Sequence, residues 1–187
     1  AVAALDKDPN DTQAALEVAE TLNISQLNNA AWQASIRTPD AGMLASIVAA
    51  KPEIRAAILE IQRNFAANPD QKGCILDGRD IGTVIAPDAD VKLWVDATVE
   101  ERARRRFREL SAMGEAVTEH GVLMQLEERD KRDSERKDAP MKPADDAVWI
   151  DTTLMNPDAC LAKAVEVVEA RKAAPKEKKA PAKKPKA

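Results

Sequence analysis

Glycine is scarce in this chain, with six residues in 187, at positions 42, 73, 78, 82, 114 and 121, about half the usual share. None of them falls into G-x-x-x-x-G-K-[ST] or G-x-G-x-x-G, so these residues contain no backbone cradle for nucleotide phosphates. Histidine occurs once, as His120, which disfavours a histidine-based metal centre or a Ser-His-Asp triad. Cys74 and Cys160 are too few for a disulfide framework or a zinc knuckle and read as ordinary thiols in a reducing compartment. No apolar run approaches the 18 or so residues of a membrane span, and no basic segment leads into an apolar one near the start. The expectation is a cytoplasmic protein with no membrane partner. Aromatics reach only 3% while apolar residues make up 44%, many of them alanine, so the core should be helix-rich and small in side-chain volume.

What is present is charge, unevenly placed. Residues 172–187 hold seven lysines and one glutamate, whereas residues 1–171 carry 21 basic and 31 acidic groups. The Lys/Ala/Pro tail has nothing to bury and repels itself, so it reads as a disordered arm that is at most weakly attracted to polyanions. Residues 1–67 read as helical. Asp11 and Thr12 can cap a helix with Ala15, Leu16, Ala19 and Leu22 on one face. A second helix begins near Pro39 and Asp40. Pro52 then opens another, with Ile54, Ile58, Ile61 and Phe65 along its apolar side.

The character changes at Gly73. GCIL running into DGRD, VKLWVD at 91–96 and AVWID at 147–151 each read as a buried strand ending on polar residues, and helices follow the second and third. Strands alternating with helices predict an α/β fold with a parallel sheet, its ligands lying beyond the carboxyl ends of the strands. The core is placed at 73–101 and 142–171. Asp151 reads as a helix N-cap rather than a catalytic group.

Between these halves, residues 102–141 read as a helical lid. Thr98 and Glu101 form a capping-box pattern, and five of residues 102–108 are arginine. Ala103, Phe107 and Leu110 share one stripe, and Arg102, Arg105 and Arg106 another. After a turn at Met113 and Gly114 and a linker through Gly121, a second helix aligns Arg129, Arg132, Asp133 and Arg136. Facing helices that both carry arginines repel unless something anionic lies between them, which predicts closure over phosphates. The Arg104 and Arg108 side reads as merely solvated.

The stretch CILDGRDIGTVIAPDADVKLWVDATVEERARRRFREL, with ERDKRDSERKDAPM, DDAVWIDTT and the upstream SIRTPDAGMLASIVAAKPEIRAAIL, resembles the bacterial cytidylate kinases over about residues 35 to 155. The resemblance implies a P-loop kinase core with a helical section, 1–67, that binds the nucleoside monophosphate, and an activity that moves the ATP γ-phosphate to CMP or dCMP with Mg²⁺. It assigns Asp80 to the cytosine amino group, Ser46 and Arg55 to N3 and O2, Asp133 with Arg129 to the ribose, and Arg79 and Arg136 to the α-phosphate. Arg105, with Arg102 or Arg129, would neutralise the transferring phosphoryl group. Asp77 either orients the Mg²⁺ hydration shell or caps the following turn. A monomer without a specific nucleic-acid partner is expected.

The family's opening strand, Gly-rich loop and next strand do not occur in these residues, nor does the small β insert some members carry. The chain opens on Ala1, so about 40 residues, a βα unit plus a strand, are expected upstream. These 187 residues alone should have little kinase activity, and the alternative is a CMP-binding pseudoenzyme.

Overall fold

The structure is a computed structural model and describes residues 8, 10–21, 29, 30, 33, 36, 39–49, 51–68 and 72–173. Asp11 starts the first helix, α1 (Thr12–Glu20), by accepting from the backbone N–H groups of Gln13 and Ala14. Helix α2 (Pro39–Ala49) follows, and Pro52 sits in the first turn of α3 (Pro52–Ala66), where a missing N–H costs nothing. Ala15 and Ala19 of α1 pack on Ile54 of α3, with Leu16, Val48, Ala57 and Ile58 around them. Ile54 is 1% exposed, and its burial contributes about 2 kcal/mol. Leu22, expected on the α1 face, lies outside the described residues.

Residues 73–77 are irregular rather than a strand, and Ile75 is 96% exposed. A strand exists only as a ladder, and among the described residues the sheet consists of β1 (Leu93–Asp96) and β2 (Val148–Asp151), parallel and in register from Leu93 opposite Val148 to Asp96 opposite Asp151. Both are shorter than their apolar runs. The expected parallel α/β arrangement therefore holds, with two strands in place of three. The DGRD segment leads instead into a π-helical turn, Ile81–Ile85, where the Asp80 carbonyl gathers the N–H groups of Thr83, Val84 and Ile85. Arg63 of α3 donates to Val84 O at 2.9 Å, tying the helical section to that turn.

Helix α4 (Val99–Ala112) begins at Thr98, whose hydroxyl accepts from Glu101 N at 3.3 Å. The reciprocal half of the capping box is absent. Thr98 N donates to Thr153 Oγ1, and the Glu101 carboxylate turns to Arg104 and Arg105. Thr98→Ala is expected to lower the unfolding free energy by about 1 kcal/mol, read from urea denaturation; an unchanged midpoint would mean the hydroxyl contributes nothing.

Helix α5 (Glu119–Glu135) starts earlier than its sequence pattern implies, so His120 and Gly121 belong to its first turn and not to a linker. The reason is Thr118, which caps Gly121 N at 3.0 Å; a Cβ at Gly121 would lie 3.0 Å from that same hydroxyl. Gly114, at φ +83, supplies the left-handed residue that ends α4. Ala103 and Leu110 of α4 and Val122 of α5 form a second core with Phe107, Val117, Leu123 and Leu126 around it.

Helix α6 (Pro157–Ala173) is the last element among the described residues and takes in Lys172 and Ala173, two residues assigned to the tail; the rest of the tail lies outside the described residues. Asp151 does not cap α6. Its carboxylate accepts from the Thr153 N–H and hydroxyl in an Asx turn, while Asn156, directly before Pro157, accepts from Ala159 N. Those two bonds hold the Asp151 carboxyl below its ordinary pKa. No described helix is long and apolar enough to cross a membrane.

Candidate functional site

Three segments converge between the two cores: α3, the DGRD loop, and α5 with the residues just past its end. Asp80 and Asp133 are each 7% exposed. Arg55 on α3 is hydrogen-bonded through Nη2 to Asp80 Oδ2, while Asp80 Oδ1 lies 3.8 Å from Arg136 Nη2. Asp133 is approached by Arg79 Nε at 3.3 Å, Arg129 Nε at 3.8 Å and Arg136 Nη1 at 3.9 Å. Next along α5, Asp130 lies 2.7 Å from Arg102 Nη1 and 3.9 Å from Arg79 Nη2. Five guanidiniums therefore face three carboxylates. Positive charge stays in excess even when the more exposed Asp96, 3.8 Å from Arg102, is counted.

That excess is held at some cost. Burial pushes the Arg129 and Arg136 pKa values down from the usual arginine range, and the neighbouring Arg79 and Arg55 respectively add to the effect. Arg129 Nε, Arg136 Nη2 and Asp130 Oδ1 are buried without a hydrogen-bond partner. Buried polar groups are normally satisfied, so donors left open in a pocket of surplus positive charge describe a seat for an anion with several oxygen acceptors.

The structure brings together seven of the expected residues, Arg55, Arg79, Asp80, Arg129, Asp133 and Arg136 directly and Arg102 through Asp130. Arg136 reaches the cluster differently from its helical spacing. It lies past the last turn of α5 in an extended conformation (φ −64, ψ 142), anchored by Nε to Ala139 O at 2.6 Å. Arg105 is elsewhere. Its guanidinium donates to Thr152 O at 2.5 Å, Thr152 Oγ1 at 3.1 Å and Glu101 Oε1 at 3.0 Å. It fastens α4 to the turn after β2 and lowers the Glu101 pKa. Ser46 lies on α2, but its side chain is outside the described residues. Asp77 is exposed and lines a small cavity with Lys92, Trp94 and Lys142.

Asp130 was not anticipated from the sequence, although its i, i+3 spacing to Asp133 places the two carboxylates on one face of α5. Arg104 and Arg132 point to solvent-side partners, Glu101 and Glu128, as surface arginines do. Among the described residues no three His, Cys, Asp or Glu side chains gather to hold a metal ion.

The family model for cytidylate kinase matches residues 1–170, well beyond the segment that carries the motifs. A cytidylate kinase of Cereibacter sphaeroides (strain ATCC 17023) is 50% identical over 155 residues, covering 83% of this chain and 72% of that protein. Those of Methylocella silvestris, 47% identical over 162 residues (87% of this chain, 72% of the relative), and Rhodospirillum rubrum, 47% over 163 (86% and 75%), are similar to the same extent.

Proposed function

The chain belongs to the cytidylate kinase family, and on that premise we propose that the arginine–aspartate cluster is its acceptor site, where CMP or dCMP receives the γ-phosphate of ATP. The observation that carries this reading is the convergence of Arg79, Arg129 and Arg136 on Asp133, beside the Arg55–Asp80 pair. Cytosine presents an amino donor at N4 and acceptors at N3 and O2. Asp80 Oδ1 has only a 3.8 Å contact with Arg136, so its lone pairs are open to the amino group. Arg55, already held by Asp80, donates to the acceptor edge together with Ser46. Asp133 takes the ribose hydroxyls, steadied by Arg129. The α-phosphate meets Arg79 and Arg136, whose planar forks suit its oxygens.

Transfer of a phosphoryl group needs positioning and charge neutralisation more than covalent participation by the protein. Arg102 and Arg129 approach from opposite helices of the lid and supply the positive charge toward the moving group. Arg105 contributes by fixing α4 against the Thr152 turn and reaches the reacting group only by exchanging those bonds. Mg²⁺ generally keeps several waters and takes one or two carboxylates plus phosphates, and the single exposed carboxylate of Asp77 fits a contact with that water shell. ATP is the phosphoryl donor, and none of the 187 residues forms the Gly-rich loop that would grip its β- and γ-phosphates. The free thiols Cys74 and Cys160 suit the cytoplasm, and we read the protein as a monomer there.

Calorimetric titration with CMP, UMP and AMP tests the pocket without needing a phosphoryl donor. CMP is expected to bind at least about tenfold more tightly than UMP, because uracil presents O4 to the Asp80 carboxylate. Equal affinity for the two pyrimidines would end the assignment of Asp80.

A further inference from the structure

Arg102 is already held at two of its nitrogens before any ligand arrives. Nη1 lies 2.7 Å from Asp130 Oδ2, and Nε donates to Ala97 O at 3.0 Å. Asp130 is bonded only on that side. Its second oxygen is buried, has no hydrogen-bond partner and stands 3.9 Å from Arg79 Nη2. One carboxylate on α5 thus bridges an arginine of α4 and an arginine of the DGRD loop, two elements whose positive charges would otherwise push apart.

We infer that Asp130 is a positioning residue, a built-in counter-anion that keeps Arg102 beside Arg79 in the empty site and gives Arg102 up to the phosphoryl oxygens when they arrive. The inference rests on the proposed acceptor site. A carboxylate and a phosphoryl group cannot share one guanidinium at close range without repelling each other, so ligand binding includes the exchange. CMP places its one phosphate at Arg79 and Arg136. CDP carries a further phosphate where the transferred group lands, at Arg102. Asp130 therefore opposes CDP more than CMP and favours release of the product.

The test is calorimetry with cytidine, CMP, CDP and inorganic pyrophosphate on the wild type and on Asp130→Asn. The variant is expected to bind CDP and pyrophosphate about tenfold more tightly, with cytidine changed less than about twofold. A purely structural role would weaken all four together. Glu128→Gln removes the same charge from an exposed site on the same helix, paired with Arg132, and is expected to give less than about a twofold gain because solvent screens it. In Asp130→Asn/Arg102→Ala the gain disappears. Asp130→Glu, which keeps the charge, should bind like the wild type even where the asparagine variant folds poorly. Unchanged or weaker CDP and pyrophosphate binding by Asp130→Asn overturns the inference. So does an equal gain in Glu128→Gln or Asp130→Glu, or a gain that survives the loss of Arg102. Pyrophosphate has no base, so a wild type that ignores cytidine and CMP while the pyrophosphate gain persists would refute the cytosine reading and leave Asp130 standing.

Discussion

Asp80→Asn is expected to cost the protein both its choice of base and part of its stability. Asparagine fills the same space, so the pocket keeps its shape, but the amide has a carbonyl and an amino group that can exchange places. One orientation accepts from the N4 amino group of cytosine, and the other donates to O4 of uracil. Discrimination between CMP and UMP should therefore fall by about tenfold or more, measured as the ratio of their calorimetric affinities. The charge matters as well. Asp80 is the hydrogen-bonded partner of Arg55 and the nearer carboxylate to Arg136 Nη2, and their side chains are only 21% and 15% exposed. Removing one member of a buried pair costs about 3–5 kcal/mol, and the partial exposure of Arg55 brings the expectation to about 2–3 kcal/mol. Chemical denaturation should show it. Equal discrimination before and after the change would refute the role of Asp80 in base choice.

Arg136→Ala should produce the opposite signature. Affinity for CMP is expected to fall by about 1.5–3 kcal/mol, the worth of a charge-assisted hydrogen-bonded fork to an anion, while affinity for cytidine, which has no phosphate, changes little. Folding stability should stay within about 1 kcal/mol of the wild type. The reason lies in the site itself. Burial and the nearby Arg55 both disfavour the charged Arg136, and its Nη2 has no hydrogen-bond partner. Removing the side chain relieves that strain even as it gives up the bond to Ala139 O. An unchanged calorimetric affinity for CMP would remove Arg136 from the phosphate seat. A large loss of stability with intact affinity would make it a structural residue.

Much of the fold was legible because its helices announce themselves locally. The Asp11 cap, Pro52 in the first turn of α3 and the Ala103, Phe107, Leu110 stripe are all short-range patterns, and each lies where its spacing indicates. The segment around Ile75 shows the limit of such reading. Its composition is that of a strand, but a ladder depends on a neighbour far along the chain, and no described residue pairs with it. The site divides the same way. Helical spacing says which arginines share a face, not where a long side chain ends. Arg102 and Arg105 leave α4 one turn apart, yet one reaches Asp130 and the other Thr152. Asp80 and Asp133 were legible through the motifs they sit in, but Asp130, which lies between Arg102 and Arg79, was hidden, since a sequence dense in Asp and Glu does not mark which of them turn inward.

The two apolar cores have a mechanical consequence. One lies between α1 and α3, the other between α4 and α5, and among the described residues the seam between them is made of guanidiniums and carboxylates. Apolar surfaces adhere with little regard to direction, whereas a charged seam can come apart and re-form as its counter-ions change. On the proposed acceptor-site reading, an anion bound there would be the mortar of this joint.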